Sequence, residues 1–164
     1  VIQPDTEQDA IMVSVLERFG KNGNKSLAFC SGWKLKNGAM ASTCAPDDNN
    51  LVVMGSSAED MSIAVNHLIE QGGGQVVVEN GKVIEFLPLP VGGIVSDEEP
   101  EVIAELEKKI DEAARRIGSD LPNPMMYMFF LPITAIPDYA LTDVGPVDYC
   151  ALTTYDPVLE LVEE

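Results

Sequence analysis

Apolar and polar positions first alternate along this chain and then fall into helical spacing. Residues 1–8 are polar and read as a flexible lead-in. In residues 11–16, Ile11, Val13 and Val15 share one face and Met12, Ser14 and Leu16 the other, the period of two that predicts a strand. Lys21-Asn22-Gly23-Asn24 is a turn, since Asn-Gly supplies the positive φ of a tight hairpin. Residues 26–33 read as the returning strand, and Asn37-Gly38 marks a second turn. Residues 39–45 predict a third strand of small side chains and residues 51–54 a fourth. Pro46-Asp47-Asp48-Asn49-Asn50 lies between them as a polar loop with strong turn chemistry.

The period then changes. Ser56 and Glu59 have capping-box spacing, after which Met61, Ala64, Val65, Leu68 and Ile69 fall on one helical face. Gly72-Gly73-Gly74 stops that helix. Residues 75–78 and 82–87 form a hairpin across Asn80-Gly81. Ser96 and Glu99 repeat the capping-box spacing with Pro100 in the first turn. The second helix runs to about Ile117, its stripe being Ile103, Leu106, Ile110, Ala113 and Ile117, with Gly118 beyond. Residues 125–131 are an apolar run that reads as a buried strand. After Pro132 the chain is loop-like, and residues 158–164 fit a short strand, a short helix or a frayed tail. The pattern predicts a single α/β domain with a mixed, largely antiparallel sheet and two main helices. Its divisions are a lead-in at 1–8, the domain at 9–149 and an acidic C-terminal tail at 150–164.

A length of 164 residues with 46% hydrophobic content suits one domain with a real core. No apolar run approaches the ~20 residues of a membrane-spanning helix. The opening Val-Ile-Gln-Pro-Asp has neither the basic start nor the apolar stretch of a secretory signal. It also lacks an initiator Met, as an excised fragment or a processed start would. A formal net charge of −17 argues against nucleic acid and anionic membrane as partners. Residues 118–164 hold no Lys, Arg or His, so a partner of that segment should offer neutral or basic surface. Cys30, Cys44 and Cys150 have neither disulfide-framework nor zinc-site spacing. They read as reduced, small core hydrophobes, which favours the cytoplasm.

Candidate chemistry is sparse. Hydrolysis on a metal needs several ligands converging on one ion. The single histidine, His67, stands in the first helix beside Val65, Leu68 and Ile69, where a structural role is expected. No spacing pairs it with a cysteine nucleophile. The Gly72-Gly73-Gly74 run lacks the Lys and Ser/Thr of a phosphate loop and follows a helix instead of opening one. Gly92-Gly93 suits a close backbone approach to a ligand or, equally, a bend after Pro90. The adjacent Asp47 and Asp48 suit acid–base work, the holding of a cation or plain turn chemistry. The residues thus predict no catalytic group and no metal ligand in this chain.

Several fragments in order carry a resemblance. They include 35–42 (LKNGAMAS), Glu59-Asp60-Met61 with Ala64-Val65-Asn66, and 68–74 (LIEQGGG). Leu87-Pro88-Leu89-Pro90 follows with Gly93 and Ser96-Asp97-Glu98. Last come 121–125 (LPNPM), Ile136-Pro137, and Leu141-Thr142-Asp143 with Gly145 and Val147-Asp148. Over residues 9–148 the chain resembles the C-terminal domain of bacterial and archaeal adenine deaminases. The resemblance implies a parent hydrolase of the amidohydrolase class, turning adenine and water into hypoxanthine and ammonia in purine metabolism. A separate (β/α)8 barrel, in the same or a neighbouring chain, would hold divalent Mn, Fe or Zn, whose bound hydroxide attacks the purine carbon bearing the amine. A homo-oligomer is compatible with it.

One departure bears on the site. Where relatives usually read Ala-His-Asp-Ser-His-Asn, this chain reads Ala45-Pro46-Asp47-Asp48-Asn49-Asn50. Asp47, Asp48 and Asn50 are therefore the candidate substrate-binding or barrel-facing residues, with Pro46 and Asn49 standing where the histidines would be. Two functions follow as expectations: an accessory domain of an adenine deaminase-like hydrolase, inactive alone, or a stand-alone binding or assembly module that kept the fold.

Overall fold

The computed structural model describes residues 2–46, 48–136 and 138–156. In chain order these form β1 (Ile11–Leu16), β2 (Lys25–Cys30), β3 (Ala39–Ser42), β4 (Leu51–Gly55), α1 (Ala58–Gln71), β5 (Gly74–Glu79), β6 (Lys82–Pro88), α2 (Pro100–Arg116), α3 (Pro124–Phe129), β7 (Tyr139–Thr142), β8 (Gly145–Asp148) and β9 (Thr153–Thr154). β1 to β6 make one sheet in the order β2-β1-β4-β3-β5-β6. The largely antiparallel sheet expected from the hairpins is there, and all five of its pairings are antiparallel.

Strand alternation sends neighbouring side chains to opposite faces, and both faces are covered. Val13, Met40, Val52, Met54 and Val77 meet Ile110, Ala113 and Ile117 of α2 and Met125 and Met128 of α3. Met12, Ala41, Leu51, Val53 and Val76 meet Met61, Ala64 and Leu68 of α1. The domain is therefore three layers, with the sheet between α1 and the α2–α3 pair. β3 and β4 lie at its centre and are buried at every position, the expected cost of having neighbours on both edges and both faces.

Local chemistry sets the boundaries. Ser57, one residue after the expected Ser56, caps α1 by accepting from the Asp60 N–H at 3.3 Å. Asp60 instead reaches across to accept the Gly81 N–H at 2.7 Å, tying α1 to the β5–β6 turn. That turn has Asn80 and Gly81 both at positive φ, as Asn-Gly predicts. Ile69, placed on the core face of α1 by its spacing, is instead 65% exposed. The returning strand β2 stops at Cys30, and Trp33 is buried in the following loop.

Two sequence expectations fail in the last third. The apolar run at 125–131 is not a strand. Asn123 accepts the Met126 N–H at 3.2 Å and Pro124 occupies the first turn, so the segment starts a helix. Only one line of it is buried: Met125 and Met128 face the core, while Met126, Tyr127 and Phe130 are exposed. The region after Pro132 is not all loop either. β7, β8 and β9 form a second, three-stranded sheet against β1 and β2. Leu141 enters the main core, and the Ser26 hydroxyl donates to the Thr142 carbonyl. Cys30 and Cys44 pack against the core as expected, but Cys150 is exposed. Residues 158–164 lie outside the described residues.

Candidate functional site

The candidate loop joins two central strands, so its position is fixed by the sheet. β1, β3 and β6 end, and β4 and β5 begin, at the same edge. The connections at 17–24, 43–50, 72–73 and 89–99 therefore gather at one end of the domain.

Two side chains lock these connections together. The buried Thr43 hydroxyl donates to the Gly93 carbonyl at 2.6 Å and accepts the Gly74 N–H at 2.8 Å. Arg18, just past β1, donates from Nε to the Asn49 carbonyl at 2.6 Å and from Nη2 to the Gly92 carbonyl at 2.7 Å. Arg18 also stacks over Phe19, its guanidinium carbon 4.6 Å from the ring centre. Sequence reasoning missed both residues. Each acts on backbone carbonyls or amides far away in sequence, and no spacing announces such a bond.

Within the loop, Asn49 takes positive φ, which Asn tolerates better than most residues. Its N–H donates to the Ala45 carbonyl at 2.8 Å, and its Oδ1 accepts the Ala45 N–H at 3.3 Å. Asp48 is exposed, yet its carboxylate turns back: Oδ1 accepts the Asn50 N–H at 3.0 Å and Oδ2 accepts Asn50 Nδ2 at 2.8 Å. Asn50 is only 4% exposed, and its Oδ1 is buried with no partner among the described residues. Asp47 lies outside the described residues. Of the candidate residues described, Asp48 reaches the surface and Asn50 points inward.

Beside the loop runs an apolar groove of about 470 Å³ between α2 and the 89–99 connection, walled by Leu89, Val95 and Ile103. A second hollow of about 180 Å³ continues it towards Met126 and Phe129 of α3, and Cys44, Gln75 and Glu107 line both. Burial raises the Cys44 thiol pKa, with the nearby Arg18 opposing it, so the group is a poor nucleophile.

The divalent metal that the resemblance implies does not fit this donor set. Among the described residues no three His, Cys, Asp or Glu side chains gather about one point. His67 packs edge-on to Phe86 with ring centres 4.7 Å apart, and its Nε2 is buried with no hydrogen-bond partner among the described residues. Burial pushes the Cys30 thiol up to about 12. Among the described residues no helix is long and apolar enough to cross a membrane.

The described residues thus form a three-layer α/β domain whose loop end is tied down by Arg18 and Thr43. The adenine deaminase C-terminal domain family matches residues 1–152, and the chain belongs to that family. It is 72% identical to adenine deaminase 1 of Desulfotalea psychrophila over 98% of this chain and 27% of that protein. It is 58% identical to adenine deaminase 1 of Latilactobacillus sakei, again over 98% of this chain and 27% of the relative. Adenine deaminase 4 of Rhizobium meliloti is 55% identical over 96% of the chain and 26% of its own length. The chain thus spans about a quarter of the relatives it matches.

Proposed function

We propose that this chain is the accessory C-terminal domain of an adenine deaminase-like hydrolase, which converts adenine and water to hypoxanthine and ammonia. The chemistry rests on a separate metal-bearing (β/α)8 barrel using Mn, Fe or Zn, and the setting is the cytoplasm. One observation carries the reading: proteins named adenine deaminase match nearly the whole of this chain while most of their own length lies outside the match.

The loop end suits the contact with the barrel. Its connections are held by Arg18 and Thr43, so the surface is preformed. The exposed Ile94, Val95 and Met126 beside it supply apolar area for docking. On this reading Asp47 and Asp48 belong to the face turned towards the barrel, with the buried Asn50 supporting the loop behind them, and homo-oligomers form through the intact enzyme.

A chimera tests it. Replacing the matching segment of the Desulfotalea psychrophila relative with this chain should preserve conversion of adenine to hypoxanthine, while the chain alone with Mn²⁺, Fe²⁺ or Zn²⁺ should give none. A folded, metal-loaded chimera without turnover would sink the proposal, as would turnover by the isolated chain that survives repurification. In an active chimera, Asp47→Ala should lower kcat/KM by the worth of one hydrogen bond, about 0.5–1.5 kcal/mol, with folding intact.

A further inference from the structure

We propose that the outward face of the small C-terminal sheet is a docking site for a lysine or arginine side chain of a partner polypeptide. Cross-strand pairing builds the site. Tyr139 stands directly opposite Asp148, and Asp148 directly opposite Thr153, so the three side chains line up on one face. Tyr155 follows Thr153 by two positions and returns to that face, its N–H donating to the Pro146 carbonyl at 3.1 Å. Its ring meets Tyr139 edge-on, centres 5.9 Å apart and planes at 80°. Tyr139, Asp148, Thr153 and Tyr155 enclose a hollow of about 330 Å³. The Asp148 carboxylate is held in place, its Oδ1 accepting the Ala151 N–H at 2.8 Å.

Two electron-rich rings beside a fixed carboxylate attract a cation, and the carboxylate repels an anion. Burial, Tyr139 and Asp148 all raise the Tyr155 phenol, which therefore stays neutral and keeps its ring face available. The wider field agrees: no Lys, Arg or His occurs from residue 118 onward, and the whole chain carries −17. The ion pairs Lys34–Asp120, Arg115–Asp111 and Arg116–Glu79 involve no residue of this sheet. Residues 157–164 contain no Lys, Arg or His. The rim decides between a free ion and a polypeptide. Tyr139 (62%), Val144 (64%) and Leu152 (80%) leave large apolar surfaces in solvent on the same small sheet. A bare ammonium ion would leave that rim wet, whereas a polypeptide presenting a basic side chain covers it.

The test uses the ¹⁵N-labelled 164-residue chain, followed by amide shifts. The probes are a blocked Leu-Lys-Leu peptide, its norleucine counterpart and tetramethylammonium chloride. The lysine peptide should give saturable shifts at Tyr139, Asp148, Thr153 and Tyr155 that weaken with added salt, and the norleucine peptide should not. Tyr155→Ala and Asp148→Asn should each weaken lysine-peptide binding about two- to fivefold. Unchanged amide shifts in the main sheet certify that the variants fold, and Asp148→Asn keeps both rings if Tyr155→Ala does not. Equal response to both peptides, shifts confined to other surfaces, or no response to the lysine peptide overturns the proposal. Tetramethylammonium binding as tightly as the lysine peptide overturns it too, since the rim would then contribute nothing.

Discussion

β4 and the segment at 125–131 are both short apolar runs, yet one is a central strand and the other mostly a helix. Residues 51–55 have neighbours on both edges and helices on both faces, and all five are buried. In α3 only Met125 and Met128, three residues apart, join Pro124 inside, and Met126 and Tyr127 point to solvent. Apolar content did not separate the two. What separates them is Asn123-Pro124, a cap followed by a residue suited to a first helical turn. An apolar run therefore takes its conformation from its flanks, and its burial from what the rest of the fold leaves to cover it.

The sharpest test of that contrast is truncation. Met54→Ala and Met128→Ala should each cost about 2–5 kcal/mol, the range for emptying a packed core position. Met126→Ala should stay within about 0.5 kcal/mol, as an exposed substitution does. Urea denaturation midpoints report all three. A loss at Met126 as large as that at Met128 would mean that the outer side of α3 is buried in solution, by a second copy or a partner.

The same logic separates adjacent glycines. Gly72 and Gly73 both have positive φ. A Cβ at Gly72 would meet nothing within 4 Å, whereas one at Gly73 would overlap the Gly93 Cα and crowd the Thr43 hydroxyl. Gly72→Ala should cost only backbone strain, about 1 kcal/mol. Gly73→Ala should cost about 1–3 kcal/mol of strain and further push the 89–99 connection from the sheet. Thermal melts with equal losses would show that the close approach of these two connections does not hold the loop end together.

A smaller effect distinguishes the cysteines. Burial, and secondarily Asp9, pushes Cys30 up from 9.0 to about 12. The folded state thus keeps this proton where the unfolded chain releases it. Stability from this group is fully present below about pH 9 and is lost as pH rises towards 12. The exposed Cys150 should be alkylated first at mildly alkaline pH, with Cys30 modified only as the protein unfolds. Mass spectrometry of partly alkylated protein checks the order, and early labelling of Cys30 would show that its cover opens.

Where pattern and local chemistry coincide, the sequence was readable. Alternation in β1, Asn80-Gly81 in its turn, the three-glycine stop after α1 and the Ile110–Ala113–Ile117 stripe of α2 are local signals with one physical meaning. The rest depended on the partner. Strand order is unreadable because β3 pairs with β4 and β5 and not with β2, its predecessor. The β7–β8–β9 sheet hid behind prolines, with Pro146 inside β8 itself. Ile69 satisfied the helical spacing, but no element covers it. At the loop end, the turn-forming residues were legible, while the clamps from Arg18 and Thr43 exist only once distant strands meet.

The smallest expected effect lies in the candidate loop, and it separates a contact residue from a turn residue. Asp48 carries two bonds to Asn50, one to its N–H and one to its side-chain amide. If the carboxylate serves mainly to close the turn, Asp48→Ala should cost about 0.5–1.5 kcal/mol, because Asn50 is buried and water replaces the lost acceptor poorly. Asp48→Asn should cost less, since an amide oxygen still accepts the Asn50 N–H, although its NH₂ cannot accept from Asn50 Nδ2. The loop itself should survive both changes, because Arg18 and the Asn49–Ala45 pair hold its backbone independently. Urea midpoints for the two variants, set beside adenine turnover in the chimera, give the answer. A stability loss without loss of turnover assigns Asp48 to the turn. Unchanged stability with reduced kcat/KM assigns it to the contact, and leaves the buried Asn50 oxygen as the group that the turn alone does not satisfy.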